Sequence, residues 1–464
     1  MLPTPKGRQR EVLCLPAEGH HVVLGTAGSG KTTLAILRSA YLADPSTDHH
    51  GIILLVTFNR ALVTYLKHLQ EWALDNVTVE TYHTFARGYL SYRGKMSYND
   101  ICSNPRQRVE LIQQAILEVS KNYKEHPLFS YPVEIFSEEF RWLAQHGIST
   151  CAGYEDAERV GRSAARFHKK LRKVVFEIYE KYKELRSAAG WSYDWDDLAT
   201  AVSDKFDQDN TPRLYKHVVI DEGQDFSPEM IRSLVKAVSP NGSLTFFGDV
   251  AQQIYGRRMS WRSAGLAVRK IWEFKENYRN TKQIAQLGLA ISRMPYFTGT
   301  ADLVEPVAPT ADGPLPTLVR CSSREAEIEL TTKQAIQMAK TQSVAILARD
   351  RTEEKTIKSR LPKTAIRLHR DMTTWQAGPG ILYGTYHSAK GLEFDAVILP
   401  FCSQEALPDP KEIEAFGQEE AARQDGKLLY VGVARAKTRL IITYSGEPTK
   451  LLPDDECLYE RVDR

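Results

Sequence analysis

The chain has little cysteine and no long hydrophobic run, and each shortage excludes a class of protein. Six cysteines are spread over 464 residues and none forms a CxxC pair, so the sequence holds no zinc ribbon and no spacing for an iron–sulfur cluster. Cysteine this sparse is typical of a reducing compartment. The apolar run from Gly51 to Phe58 is far shorter than the ~20 residues of a membrane-spanning helix. Residues 1–10 are polar and basic without a following apolar segment, so we expect a cytoplasmic protein with no membrane contact.

An excess of charge is also missing. The net charge is +3 and the isoelectric point is about 8.3, which neither demands nor excludes a nucleic-acid partner. Apolar residues make up 42% of the chain and charged residues 26%, a composition that excludes intrinsic disorder and collagen-like repeats. At roughly 150 residues a domain, the length predicts about three domains.

Short apolar runs alternate with segments of helical spacing, a pattern that favours parallel sheets covered by helices. The predicted strands are residues 21–24, 52–56, 218–220, 244–247, 344–347, 380–383, 396–399 and 440–443. Residues 105–190 differ, because they are charged, helical in spacing and poor in β-branched runs. We interpret them as a helical insertion between strands of the first sheet.

Gly25 to Thr32 has the sequence GTAGSGKT, which matches the phosphate-binding pattern GxxxxGK[ST]. Its glycines allow successive backbone N–H groups to face one anion, and the helix that follows directs its N-terminal dipole to the same point. Lys31 can reach the β- and γ-phosphates, and the Thr32 hydroxyl can hold Mg²⁺. The predicted strand before the loop and helix after it indicate a nucleoside-triphosphate site and not merely a flexible glycine loop.

A second acidic motif follows the strand at 218–220. Asp221 at the strand end can orient Mg²⁺ through its water shell, and Glu222 is placed to polarise the attacking water. An acidic turn after a strand is common by itself. Together with the phosphate loop it predicts hydrolysis.

The sequence DEGQD from Asp221 to Asp225 resembles the DExQD box of the UvrD/Rep class of superfamily I DNA helicases, and further boxes follow that family's order. They are Gln9–Arg10 for the Q motif, 57–61 (TFNRA) for motif Ia, 81–85 (TYHTF) for motif Ib, 194–198 (DWDDL) before motif II, 247–256 (FGDVAQQIYG) for motif III, 276–279 (ENYR) for motif IV, 384–394 (GTYHSAKGLEF) for motif V and 428–437 (LLYVGVARAK) for motif VI.

The resemblance implies an α/β fold of two RecA-like P-loop domains with parallel sheets, and a helical insertion in the first. The expected boundaries are 1–94 with 206–265 for the first RecA-like domain, 95–205 for the insertion, and 266–464 for the second RecA-like domain. Family members carry a large second-domain insertion between motifs IV and V. The stretch from Arg279 to Thr385 is too short to hold it, so we interpret the chain as a compact, divergent member.

The resemblance also implies an ATP site shared by the two domains, with ATP and Mg²⁺ as cofactors. Gln9 and Tyr278 would hold adenine, Glu393 the ribose, and Gln252 would sense the γ-phosphate. Arginines supplied across an interface can accelerate phosphoryl transfer by ~10³–10⁵, and the second domain would supply them. The expected catalytic residues are Lys31, Asp221, Glu222, Gln252, Arg279 and Arg435. The expected ATP-binding residues are Gln9, Gly25, Thr26, Ala27, Gly28, Ser29, Gly30, Lys31, Thr32, Thr33, Tyr278, Arg279, Glu393 and Arg435, with Thr32 and Asp221 holding Mg²⁺.

Single-stranded DNA, 3′-tailed or displaced from a duplex, is the partner that the resemblance implies. It would cross both domains on aromatic side chains, which stack on any base, and on polar groups that hold phosphates. The expected DNA-binding residues are Phe58, Asn59, Tyr82, His83, Phe85, Arg258, Trp261 and His387.

Three functions are compatible with these features. The first is an ATP-dependent translocase or helicase on single-stranded DNA, with 3′-to-5′ polarity by resemblance. The second is a DNA-responsive ATPase subunit that regulates a partner nuclease, as in bacterial anti-phage complexes. The third is a P-loop enzyme of another class, such as a kinase, against which the arginines of motifs IV and VI argue.

Overall fold

The structure, a computed structural model, describes residues 5 and 8–464 except 27, 59–61, 65–66, 68–75, 98, 125, 158–166, 168, 250–260, 275–279, 298–310, 370–371, 373–374 and 376–377. The described chain folds into two sheets whose paired strands all run parallel. We call the first sheet with its covering helices the first lobe, and the second sheet with its helices the second lobe. The α/β class predicted from the sequence is confirmed.

The first lobe has the strand order β3-β2-β4-β5-β1-β6. It is built from α1 (Arg8–Leu13), β1 (Gly19–Gly25), α2 (Lys31–Ala43), β2 (Ile53–Thr57), β3 (Val77–Thr81) and α3 (Tyr82–Tyr92). Four helices follow, which we call the insert: α4 (Pro105–Ser120), α5 (Val133–Gln145), α6 (Cys151–Asp156) and α7 (Lys169–Ala188). The chain then returns through α8 (Leu198–Gln208), β4 (Tyr215–Ile220), a 3₁₀ turn (Gly223–Asp225), α9 (Pro228–Ala237), β5 (Val238–Gly248) and β6 (Val268–Phe274).

The second lobe has the strand order β13-β7-β12-β11-β8-β10-β9. Its elements are α10 (Lys282–Ser292), β7 (Thr317–Cys321), α11 (Arg324–Met338), β8 (Ser343–Ala348), α12 (Arg351–Lys358), β9 (Ile366–Arg367), β10 (Gly380–Thr385), β11 (Phe394–Leu399), α13 (Pro410–Phe416), α14 (Gln418–Val433), β12 (Ala436–Ser445) and β13 (Glu460–Asp463).

Two segments depart from the expected domain boundaries. β6 pairs with β1, so the chain remains in the first sheet beyond residue 266, where the second domain was expected to begin. α8 begins inside the expected insertion, yet its Leu198 and Val202 are buried in the first lobe's core. The insert has a separate core of its own, formed around Phe136, Phe140 and Tyr182.

Local sequence explains where elements lie. All five residues of β2 are buried, as expected for a central parallel strand covered on both faces. Ser227 begins α9 by accepting a hydrogen bond from the Met230 N–H at 3.2 Å, and Pro228 occupies the first helical position, where its missing N–H costs nothing. No described helix is both long and apolar enough to cross a membrane.

The two lobes touch beside the cleft that separates them. Leu62 of the first lobe is fully buried and lies against Gly391 of the second, where an added Cβ would come within 2.6 Å of Leu62 Cδ2. The Thr64 hydroxyl donates to the Met372 carbonyl oxygen at 2.9 Å. The loops after β1, β4 and β5 leave adjacent strands at the same sheet edge, which gathers their side chains at this cleft.

Candidate nucleotide and nucleic-acid site

The phosphate loop joins β1 to α2. Gly28 and Gly30 have φ of 82° and 83°, a left-handed conformation that glycine adopts without steric cost. Gly30 caps α2, so the helix N-terminus and its unpaired N–H groups face the loop. Thr26 and Ser29 are buried within it, and Thr33 lies in the first turn of α2. The loop has the geometry of an anion site.

Lys31 lies across this loop. Its Nζ donates to the carbonyl oxygens of Gly25 at 2.8 Å and Thr26 at 2.7 Å, and lies 3.5 Å from Asp249 Oδ2. Only 7% of Lys31 is exposed. The ammonium is therefore held where phosphate oxygens would compete for it.

α1 is fastened to the phosphate loop near its start and to α2 at its end. Gln9 Nε2 donates to the Ser29 carbonyl oxygen at 3.1 Å. Arg38, fully buried in α2, donates at 2.7 Å to the carbonyl oxygens of Leu13, Leu15 and Pro16, at the end of the helix and just beyond it. Burial lowers the pKa of Arg38 to about 10. The residue expected to read adenine is thus fixed relative to the phosphate loop.

The two carboxylates of motif II follow β4. Asp221 is 1% exposed and Glu222 is 8% exposed. Glu222 has φ of 53°, uncommon for a residue with a side chain and typical of functional sites. The Gln224 amide donates to Glu222, while its Oε1 accepts from the Asp249 N–H at 2.8 Å, so motifs II and III hold Glu222 together.

Phe246 of β5 packs beneath this turn. Added Cβ atoms at Gly223 and Gly248 would lie 2.3 Å and 2.6 Å from the Phe246 ring. Real Cβ atoms do not approach a ring so closely. The ring therefore fills the space that both glycines leave.

The two carboxylates have opposite pKa shifts. Burial raises the pKa of Asp221 to about 7, and the nearby charge of Glu222 adds to this. Burial by itself would raise the pKa of Glu222. The positive charges of Arg435, Lys31 and Lys390 outweigh that effect and lower the pKa below its usual value. Glu222 is therefore ionised at neutral pH, as a general base must be.

Asp221 fits a magnesium ion. Neither of its oxygens meets a donor in good hydrogen-bond geometry among the described residues, although the Thr32 hydroxyl is near enough to lower its pKa. Mg²⁺ prefers carboxylate, hydroxyl, water and phosphate oxygens. The described residues hold no cluster of three or more His, Cys, Asp or Glu that could bind a metal.

The second lobe contributes basic side chains to the cleft. Arg435, 1% exposed, donates through Nε to the Val431 carbonyl oxygen at 3.0 Å and through Nη1 to that of Leu392 at 3.3 Å. Its charge acts on Glu222 of the first lobe. Glu393 lies 3.9 Å from Lys437, on the second-lobe side.

Six of the expected site residues lie outside the described residues: Ala27, Asn59, Gln252, Arg258, Tyr278 and Arg279. Their roles stay predictions. Of the two arginines expected to reach the γ-phosphate, only Arg435 is therefore described.

A row of rings runs along the first lobe beside the cleft. The Phe58 and His83 rings lie 5.5 Å apart, and His83 lies 5.3 Å from Trp195. The Arg87 guanidinium lies 5.9 Å from the Trp195 ring. Trp195 extends this row of rings, although it was not among the expected site residues; it stands in the DWDDL segment. Its aromatic side chain in that segment was the available signal.

Two expected DNA contacts need correction. Tyr82 is fully buried, and its hydroxyl bonds Ser233 Oγ at 2.7 Å. Phe85 is 5% exposed and packs against Tyr82 and Tyr215. Both are core residues of the first lobe and support the row of rings from below, so we withdraw them as base contacts.

The remaining candidates that the structure describes are at least partly exposed. Trp261 is partly exposed, with its ring 5.1 Å from Phe246. His387 is exposed to the cleft from the second lobe. Desolvation by the surrounding protein lowers the pKa of His387 to about 4, and Lys390 and Arg349 add to this effect. The lowered pKa favours the neutral form of the His387 imidazole.

Comparison with known proteins agrees with this arrangement. Residues 6–278 match the family described as the UvrD/REP helicase N-terminal domain, and residues 368–447 match the UvrD-like helicase C-terminal domain. The first match alone covers more than half of the chain.

Individual relatives are distant. YjcD of Bacillus subtilis, whose name describes a putative ATP-dependent DNA helicase, is 25% identical over 313 residues, which cover 64% of this chain and 36% of YjcD. DNA helicase II of Haemophilus influenzae is 25% identical over 60% of this chain and 38% of its own length. The ATP-dependent DNA helicase Srs2 of Schizosaccharomyces pombe is 25% identical over 58% of this chain and 32% of its own length. The chain thus spans about a third of the length of these curated relatives.

Proposed function

Because this chain belongs to the UvrD/REP helicase family, we propose that it hydrolyses ATP in the cleft between its lobes and uses the energy to move along single-stranded DNA. The proposed direction is 3′ to 5′, by resemblance to the family. One observation carries the proposal: buried basic residues of the second lobe lie at the motif II turn of the first. Lys390 Nζ binds Asp225 Oδ1 there, and the charge of Arg435 helps to lower the pKa of Glu222. A hydrolytic centre divided between two lobes couples each turnover to their relative motion.

In the proposed reaction Lys31 and the phosphate-loop N–H groups bind the phosphates, and Gln9 orients adenine. Thr32 and Asp221 would hold Mg²⁺, and the bound ion would supply positive charge beside the phosphates. Glu222 accepts a proton from the attacking water, and the lowered pKa keeps its carboxylate ionised and able to accept one. Arg435, joined by Arg279, would stabilise the transferred phosphoryl group from the second lobe, and Gln252, in motif III of the first, would sense the γ-phosphate.

The proposed DNA path follows the row of rings on the first lobe and continues past Trp261 to His387 on the second. Stacking on such rings tolerates any base, so a strand can advance without sequence preference. Phe58, His83 and Trp195 would hold one stretch while the other lobe moves. Alternate holding by the two lobes during each ATP cycle would give net movement.

A second candidate is an ATPase subunit that acts with a nuclease, as in anti-phage complexes. The compact second lobe favours it, because the stretch between Arg279 and Thr385, where the family carries its large insertion, is too short to hold one. A chain without that insertion would depend more on a partner to engage a duplex.

Two measurements separate the candidates. ATP hydrolysis by the purified chain, stimulated by oligo-dT, together with displacement of streptavidin from a 5′-biotinylated oligonucleotide, supports a 3′-to-5′ motor. Displacement of streptavidin only from the 3′ end would show that the chain moves 5′ to 3′, opposite to the proposed direction. ATPase activity that arises only with a co-purifying nuclease, without displacement, would favour the second candidate.

A further inference from the structure

A buried ion pair joins the two lobes next to the hydrolytic centre. Lys390 Nζ, in the turn that follows β10, binds Asp225 Oδ1, at the end of the turn that follows Glu222. Each residue is only 6% exposed. They lie 165 positions apart in the sequence, so only the juxtaposition of the lobes brings them together.

Asp225 belongs to the same short turn as Glu222. Its N–H donates to the Glu222 carbonyl oxygen at 3.0 Å, which closes the 3₁₀ turn. The catalytic carboxylate therefore shares a rigid turn with the partner of Lys390. The Lys390 charge also acts on Glu222 itself.

Lys390 in turn belongs to the segment that presents His387 to the cleft. The Lys390 N–H donates to the His387 carbonyl oxygen at 3.3 Å. The next residue, Gly391, has φ of 79° and packs against Leu62 of the first lobe. One turn thus carries a proposed DNA contact, a packing contact with the first lobe and the ion pair with the turn of Glu222.

We propose that Lys390 is a positioning residue that makes ATP hydrolysis depend on bound polynucleotide. A strand seated on the His387 turn holds the lobes together, and Lys390 then fixes the 222–225 turn through Asp225. Without the strand the pair forms less often, and Glu222 is oriented less well. This inference rests on the proposed function, because it requires an ATPase that DNA stimulates.

The kinetic test uses Lys390→Gln, Asp225→Asn and the double variant. Effector coupling between sites is typically about 5- to 150-fold, so we expect each single variant to lose about tenfold in DNA-stimulated kcat. Because coupling between two equilibria is reciprocal, oligo-dT binding should weaken to the same extent in both single variants, while the Kd for a fluorescent ATP analogue measured without DNA stays unchanged. The double variant should lose no more than either single variant, because the two residues act as one pair. Lys183→Gln, which breaks an exposed pair with Glu180 inside the insert, is the control.

A second test needs no turnover. Cys14 of the first lobe and Cys457 of the second are exposed, whereas Cys102, Cys321 and Cys402 are buried. Donor and acceptor dyes on Cys14 and Cys457, in a Cys151→Ser background, report the distance between the lobes. Oligo-dT with a non-hydrolysable ATP analogue should shift energy transfer in the parent chain, and less in Lys390→Gln and Asp225→Asn.

The outcomes are distinct. Weakened oligo-dT binding in Lys390→Gln alone would mean a direct phosphate contact and overturn the inference. Full stimulation in both single variants, or losses that add in the double variant, would also overturn it. If the parent chain hydrolyses ATP but ignores DNA, the proposed motor and this inference both fail. A stimulated parent with unaffected variants overturns the inference alone.

Discussion

Lys31 Nζ lies 3.5 Å from Asp249 Oδ2 while it donates to two carbonyl oxygens of its own loop. The phosphate-loop lysine is therefore already directed into the site, at the junction of motifs I and III. Phosphate oxygens of a nucleotide could replace these partners of Lys31 Nζ with little movement of the lysine side chain. Such preorganisation lowers the entropy that binding must otherwise lose.

Substitutions of Lys31 and Glu222 should have different effects. We expect Lys31→Ala to abolish nucleotide binding and turnover, because it removes the cation that meets the phosphates. Glu222→Gln should lower kcat by ~10²–10⁴, the usual worth of a general base, and still bind nucleotide. Binding of a fluorescent ATP analogue and phosphate release measure the two effects. Normal hydrolysis by Glu222→Gln would remove it as the base.

The exposed rings should carry nucleic-acid affinity. We expect Phe58→Leu and Trp261→Leu each to weaken oligo-dT binding about fivefold or more, because stacking contributes ~1–3 kcal/mol per base. Leucine keeps most of the apolar contact with the ring beneath. Fluorescence anisotropy gives the Kd.

Tyr92→Leu is the control for this series. Tyr92 is the most exposed large hydrophobic residue described, at 80%, and projects from α3. Its loss should leave oligo-dT binding unchanged. Equal affinity in Phe58→Leu, Trp261→Leu and the parent chain would contradict the DNA path.

Arg38 should stabilise the first lobe and preserve nucleotide selectivity. Arg38→Met leaves three carbonyl oxygens at the end of α1 without their donor, and buried groups of this kind cost ~1–3 kcal/mol each. We expect a clear fall in the denaturation midpoint of the first lobe. The position of Gln9 should also loosen, which lowers the preference for ATP over GTP.

Competition binding with the two nucleotides measures that preference. A lysine side chain at this position can reach fewer carbonyl oxygens than the arginine does, so Arg38→Lys should be intermediate in both measurements. Unchanged selectivity in a destabilised Arg38→Met would restrict the residue to a structural role.

His217 should make stability depend on pH. It is fully buried, with Nδ1 2.8 Å from Ser243 Oγ and Nε2 2.9 Å from the His49 carbonyl oxygen. Burial lowers the pKa of His217 to about 4, against 6.5 for an unperturbed histidine. The unfolded chain therefore binds a proton first as the pH falls, and the folded state loses stability from about pH 6.5 down to about pH 4.

The size of this loss is about 2 kcal/mol between about pH 7 and pH 5. His217→Asn should remove that part of the pH dependence, although it lowers stability overall. Urea midpoints at both pH values, in the parent chain and the variant, give the difference. An identical pH dependence would show that His217 is not the titrating group.

Sequence patterns predicted the central strands but missed edge strands. The runs at 218–220 and 244–247 lie in β4 and β5, which are covered on both faces and hence apolar throughout these runs. β6 lies at the sheet edge with most of its side chains at least partly exposed, so its sequence, VRKIWEF, carries no such run. Edge strands are stabilised mainly by backbone hydrogen bonds, which do not depend on side-chain type, so an apolar pattern in the sequence does not reveal them.

The site was predictable where its parts are local. The phosphate loop forms within eight consecutive residues, so its glycines and Lys31 were recognisable. The pair of Lys390 with Asp225 depends on how the lobes meet, and no local pattern contains it. Helical spacing could have excluded Tyr82 and Phe85, because positions i and i+3 share the buried face of α3, whereas His83 points elsewhere.

The ring of Phe246 lies between Gly223 of motif II and Gly248 of motif III, so these three positions form one steric unit. A methyl group at either glycine would clash with the Phe246 ring. A substitution at one of the three positions therefore requires a compensating change at another, such as a smaller side chain at 246. Among homologues these positions should therefore covary in volume. A sequence that pairs alanine at 223 with phenylalanine at 246 would mark a lineage in which this turn has been rebuilt.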